Sequence, residues 1–174
     1  EDLARRFFSE IDVIFYAAAA LSQSTWERIE RVSERVRGDR VTMVSAWGST
    51  ETSPLITQVH FTIDRAGVIG VPAPGCELAF VPSGHKLEMR VKGPNVTPGM
   101  WLRGGRIAPL VTDERGFYAM GDAGRLADPE DSSCGVVFDG RTAENFKLAS
   151  IPARTEFVAR RFDKVADLSH AFYE

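Results

Sequence analysis

The rhythm of hydrophobic and polar positions changes twice along the chain and divides it in three. Within residues 1–65, an apolar, β-rich run from Ile11 to Tyr16, broken only by Asp12, reads as a buried strand. Trp26, Ile29, Val32 and Val36 then recur at steps of three and four, which predicts a helix with one apolar face. Ser24 and Glu27 have the spacing of a capping box at its start, and Gly38 stops it. Val41, Met43 and Val44 predict a second strand running into Trp47-Gly48-Ser49-Thr50-Glu51. Strand, helix, strand with polar residues after the second strand is how an open α/β sheet builds a ligand site at its carboxyl edge.

Residues 66–140 follow a different period. Glycine and proline become frequent, and Leu87, Met89 and Val91 alternate with Glu88, Arg90 and Lys92, as in a half-buried strand. Pro82-Ser83-Gly84 signals a turn that pairs this strand with Cys76 to Val81 as a hairpin. Val136 to Phe138 read as a further strand, ended by Asp139-Gly140. The expectation is a small antiparallel, β-barrel-like unit packed on the strand-helix-strand unit. In residues 141–174, Val158, Phe162, Val165, Leu168 and Phe172 recur at helical steps, which predicts a C-terminal helical tail after a short connecting segment. The fold class read from these patterns is α/β.

Composition narrows the function classes. Hydrophobic residues make up 44% of the 174, enough to supply a core, and the net charge of −3 gives no global attraction to nucleic acid or to an anionic membrane. Cys76 and Cys134 have no CxxC spacing, so neither a disulfide framework nor a zinc knuckle is expected. The apolar run from Ile11 to Leu21 is too short to span a bilayer and lacks the flanks of a signal peptide, so the expected setting is cytoplasmic. The chain opens on Glu1 rather than Met, which suggests a piece of something longer.

Three motifs carry candidate chemistry. In Trp47-Gly48-Ser49-Thr50-Glu51 a hydroxyl beside a carboxylate can serve a nucleotide, the hydroxyl meeting a phosphate oxygen and the carboxylate holding Mg²⁺. Gly48 allows a close backbone turn, and the Trp47 indole offers a face to a base. In Tyr118-Ala119-Met120-Gly121-Asp122 the aspartate can accept from both hydroxyls of a ribose. In Asp139-Gly140-Arg141 the guanidinium can reach ribose or phosphate. Each has a plainer reading as turn chemistry when taken singly.

Their order gives them weight. Together with Tyr16 to Ser22, the Gly67–Gly75 segment, Val91 to Trp101 and the Gly140-Arg141…Lys147 hinge segment, the set resembles the adenylate-forming acyl-CoA synthetases. Within that family it looks most like the bacterial feruloyl-CoA synthases, and the resemblance covers about residues 1–150. It implies a partial acyl-CoA synthetase fold whose reaction joins a carboxylate to AMP from ATP and then passes the acyl group to the thiol of CoA. It further implies that Thr50 and Glu51 are catalytic, with Glu51 on Mg²⁺. Ala18, Ala19, Trp47, Gly48, Thr50, Asp122 and Arg141 would bind ATP or AMP. The implied substrate is an aromatic carboxylate such as a hydroxycinnamate.

The departures are equally specific. No phosphate-gripping loop precedes Tyr16, Met100 and Met120 stand in other residues' places, and from Ile151 onward the resemblance ends. The expectation is therefore a fragment inactive alone, able to self-associate through the face left by a missing half. The alternative from another class is a non-catalytic AMP- or ATP-binding or assembly module.

Overall fold

The computed structural model describes residues 2–143. The helical tail predicted over 151–174 and Lys147 of the hinge segment lie outside those residues. A first helix, α1 (Asp2–Phe8), precedes β1 (Val13–Tyr16), α2 (Gln23–Arg37) and β2 (Thr42–Trp47). β1 and β2 pair in parallel, Ile14 beside Met43 and Tyr16 beside Ser45. α2 covers one face of this pair: Trp26, Met43, Val41 and Phe8 form a buried cluster there, joined by Ile14, Ile29, Val32 and Val36. The helical period read from the sequence is the period of this contact.

The start of α2 differs from the predicted box at Ser24 and Glu27. Ser22 is the cap, its Oγ accepting from the Thr25 amide at 3.2 Å, while Glu27 accepts from Gln23 Nε2. Ser22 wins because it sits three residues before a free amide and has an extended backbone, the geometry a capping side chain needs. Gly38 ends the helix in the left-handed region (φ 87°), its N–H donating to Glu34.

Eight strands then run through one mixed sheet. After β3 (Thr57–Gln58) come β4 (Val68–Pro72), β5 (Glu77–Ser83), β6 (Lys86–Lys92), β7 (Gly99–Trp101), β8 (Ile107–Pro109), β9 (Tyr118–Leu126) and β10 (Val136–Arg141). The order across the sheet is β1-β2-β3-β4-β10-β9-β6-β5, and β7 with β8 forms a separate two-stranded ribbon. The antiparallel strands do not close into the expected barrel-like unit. β3 pairs with β2 on one side and β4 on the other, so the ladder continues outward from the parallel part. Among the described residues the order has two free ends, β1 and β5.

The predicted hairpin pairs Glu77 through Ser83 with Lys92 through Lys86, its turn lying one residue later at Gly84-His85. Met89 and Val91 are fully buried, and with Trp47, Ile56, Ile69, Phe80 and Val136 they make a second core beneath the antiparallel part. Trp47 belongs to this core although it ends a strand of the parallel part, so β2 joins the two regions. Among the described residues no helix is long and apolar enough to cross a membrane.

Candidate functional site

At the carboxyl end of β2 the chain folds back in a tight loop. Ser49 N–H donates to Thr52 Oγ1 at 2.8 Å and Thr52 Oγ1 donates to Ser49 O at 3.0 Å, closing a 3-10 turn over Thr50–Thr52. Gly48 is obligatory there: a Cβ on it would lie 1.9 Å from the carbonyl oxygen of Pro54. The turn carries Glu51 to the wall of a cavity of about 890 Å³.

The opposite wall comes from a defect in the sheet. Between β6 and β9, Glu88 faces Ala123 and Arg90 faces Ala119, so a two-residue step on β6 spans four on β9. Between β10 and β9 the register slips again, between Phe138 and Arg141. These bulges break the alternation of β9 and leave Asp122, Ala123 and Gly124 buried in succession. Gly121, at φ 73°, makes the bend, and Asp122 is turned into the cavity.

Asp122 is held from two sides. Trp47 Nε1 donates to its Oδ2 at 2.9 Å, and Arg141 Nη1 stands 3.1 Å from its Oδ1. Arg141 also donates to the carbonyl of Met120 at 3.2 Å. The strand that delivers Arg141 is fastened by Lys86, whose ammonium donates to the carbonyls of Asp139 and Arg141, and by Thr142, which donates to Gly121 O. Each carboxylate oxygen of Asp122 keeps acceptor capacity for a ligand hydroxyl.

Glu51 is held differently. Ser49 Oγ donates to its Oε2 at 2.6 Å and rests 3.8 Å from the Met120 sulfur. That hydroxyl, with help from the Glu51 amide, keeps the carboxyl below the usual glutamate range, against the opposing effect of burial. Tyr118 lines the cavity beside it; its phenol is pushed up by burial first and by the Glu51 charge second. Among the described residues no group of three His, Cys, Asp or Glu side chains could hold a metal by itself. A lone carboxylate beside an open cavity fits Mg²⁺, which takes one or two carboxylates and completes its shell from phosphate and water.

The sequence-predicted residues fall as follows. Ala18, Ala19, Trp47, Gly48, Glu51, Asp122 and Arg141 all line this one cavity. Thr50 opens the 3-10 turn on its exposed side and is not part of the lining; Ser49 is. The Ala17–Ala20 segment lies at the end of β1, and Ala18 holds a left-handed backbone (φ 66°) that costs an alanine about 1 kcal/mol. Sequence reading missed Ser49, Tyr118 and Met120 as wall residues and Lys86 as the clamp on Arg141. The glycines at 121 and 140 were the available signal, since a glycine inside a strand marks a bulge. A shallower concavity on α2 is lined by Arg28, Arg31, Glu34 and Arg35, the helix's solvated charges, and holds no comparable convergence.

Known proteins resemble parts of this chain. The profile of the family described as AMP-binding enzyme matches residues 2–101. A long-chain-fatty-acid–CoA ligase of Escherichia coli O6:H1 is 35% identical over 91 residues, covering 46% of this chain and 15% of the ligase. An indoleacetate–CoA ligase of Aromatoleum aromaticum is 32% identical over 124 residues, 66% of this chain and 23% of the ligase. The crystal structure of the anthranilate CoA ligase AuaEII with anthranoyl-AMP superposes with a TM-score of 0.62 at 19% identity. It covers 87% of this chain and 28% of that one, a likeness of fold. The chain thus spans less than a third of the length of each.

Proposed function

The chain belongs to the AMP-binding enzyme family, and from that premise we propose that it is a segment of an ATP-dependent acyl-CoA ligase that carries the AMP end of the site. Asp122, with Arg141 beside it, takes the ribose hydroxyls. The Ala17–Ala20 backbone and Trp47 flank the adenine. Glu51 holds Mg²⁺ against the phosphates, and Thr50 and Ser49 offer hydroxyls at the same end. In the whole ligase the carboxylate substrate attacks the α-phosphate of ATP and CoA then displaces AMP. Mg²⁺ supplies charge neutralisation at the phosphate when bound. This chain's own residues orient the nucleoside and keep the phosphate end fixed.

The observation that carries the proposal is the convergence of Trp47, Glu51, Asp122 and Arg141, from three separate strands or strand ends, on one cavity. The finer assignment keeps an aromatic carboxylate of the hydroxycinnamate kind as substrate, feruloyl-CoA synthase as the branch, CoA as co-substrate and the cytoplasm as the setting. Residues 1–65 form its nucleotide-site unit and residues 66–140 its β-rich wall. A second reading, nucleotide binding without turnover, is favoured for the isolated chain by its share of the relatives' length, 15% and 23%.

Isothermal titration tests the proposal. The chain is expected to bind AMP, to lose that binding in Asp122→Ala, and to form no acyl-CoA from ferulate, ATP and CoA. Glu51→Gln is expected to keep AMP binding and to lose the Mg²⁺-dependent gain for ATP. AMP affinity that survives Asp122→Ala would put the nucleotide elsewhere.

A further inference from the structure

The stretch from Val91 to Trp101 resembles a family motif, yet none of its residues lines the cavity. We propose that Asn95 is a positioning residue for the cavity wall: its carboxamide clamps the Ser49–Leu55 loop and so fixes where Ser49 and Glu51 stand. This rests on the nucleotide reading of the cavity for its consequence, though not for its geometry.

Asn95 lies between β6 and β7, remote in sequence from the loop at the end of β2. Its Nδ2 donates to the carbonyl of Thr52 at 2.8 Å and also to that of Leu55. Its Oδ1 accepts from the Cys76 thiol at 3.2 Å. Its own backbone carbonyl accepts from Ser53 Oγ at 3.0 Å, and two residues on, the Thr97 amide donates to Glu51 O at 2.8 Å. The clamp thus grips the carbonyl of Glu51 and the residues that follow it, Thr52, Ser53 and Leu55, from outside the cavity.

The side chain suits the task by its inventory. An asparagine presents two N–H donors and one acceptor on a short stem, so it can serve two carbonyls and a thiol together. An aspartate would turn an acceptor toward two carbonyls. Space around it is cut to fit: a Cβ at Gly93 would lie 2.7 Å from Asn95 Oδ1 and 3.1 Å from Cys76 Sγ. The loop needs outside support because Ser53 takes a left-handed backbone at φ 58°, uncommon for a residue with a side chain.

Amide hydrogen exchange on the full chain tests the clamp directly, in Asn95→Ala and Asn95→Asp. The amides of Thr52, Leu55 and Ile56, bonded within and at the end of the loop, are expected to exchange about tenfold faster in both, with the β5 and β6 amides unchanged. Cys76→Ala, which removes only the thiol donor, is expected to leave all of them as in the wild type. Should Asn95→Ala fail to fold, Asn95→Asp decides. No change in the loop amides, a uniform rise across the sheet, or unfolding of both variants would each overturn the proposal.

Titration then reads the consequence. AMP affinity is expected to stay within about threefold of wild type, while the Mg²⁺-dependent gain for ATP falls about tenfold. Equal losses in both would overturn the positioning role. A wild-type chain that binds no nucleotide would defeat the reading of the cavity and leave the exchange result standing, so the two failures are told apart.

Discussion

The indole of Trp47 and the carboxylate of Asp122 are joined by a 2.9 Å hydrogen bond between residues 75 positions apart. The bond ties the end of β2 to the bulge of β9, so the two walls of the cavity meet through one donor and one acceptor. Both groups are largely buried, at 8% and 9% exposed, where a bond to a charged acceptor is worth about 1.5–3 kcal/mol. Trp47→Phe keeps an aromatic ring in the core and removes the donor. It is expected to weaken AMP binding roughly tenfold by titration, since Asp122 loses one of its two anchors.

Acid should weaken the fold over a definite range. Ser49 holds the Glu51 carboxyl low, and the Phe117 amide, with Arg90 and the Arg115 amide, does the same for Asp113. Both groups bind protons more weakly folded than unfolded, so as pH falls the unfolded chain takes up protons first. Their contribution is complete above the ordinary carboxyl range near pH 4 and is lost as pH drops through the lower folded values. The urea midpoint is expected to stay level from about pH 7 to 5 and to fall below about pH 4. Asp113→Asn should flatten part of that fall, because the amide still accepts from the turn and no longer titrates.

Gly48→Ala tests the loop at its tightest point. Its methyl would lie 1.9 Å from Pro54 O, 2.4 Å from Pro54 C and 2.8 Å from Thr52 Oγ1. The two nearest are backbone atoms of Pro54, so the backbone itself must move. A loss of about 2–4 kcal/mol in urea unfolding is expected. The same substitution at Gly38, where a Cβ meets nothing within 4 Å, should cost only the left-handed backbone, about 1 kcal/mol.

Among the described residues the parallel pair β1–β2 is covered by a helix, α2, on one face only. On the other, Val13 and Phe15 are 52% and 59% exposed. Parallel strands are ordinarily covered on both faces. The chain is therefore expected to self-associate through this face as concentration rises, and Phe15→Ser is expected to reduce that association. Sedimentation of both proteins across a concentration series checks it; equal behaviour would assign the association to another surface.

What could be read from the sequence was what local periodicity encodes. The α2 face, the Gly38 stop and the β5–β6 hairpin each follow from spacing within about fifteen residues. Trp47, Glu51, Asp122 and Arg141 were legible only as family motifs; nothing local says that residue 47 donates to residue 122. The bulges of β9 defeat an alternation rule because the irregular residues between the paired positions bury Asp122, Ala123 and Gly124 in succession. The failure of the expected barrel has a similar cause: two-residue β3 is too short to leave a pattern, yet it decides that the sheet runs on. Sequence alone does not show which of two adjacent hydroxyl residues lines a cavity; here Ser49 does and the exposed Thr50 does not.

The pinched segment of β9 has an effect beyond aiming one carboxylate. Regular pairing resumes on both flanks, with Tyr118 against Val91 and Gly124 against Phe138. Between them only Met120 and Gly121 lack a register partner, since Asp122 still pairs with Arg141. Selection can exchange Met120, whose sulfur rests against Ser49, and recontour the chamber there while every neighbouring strand keeps its partner.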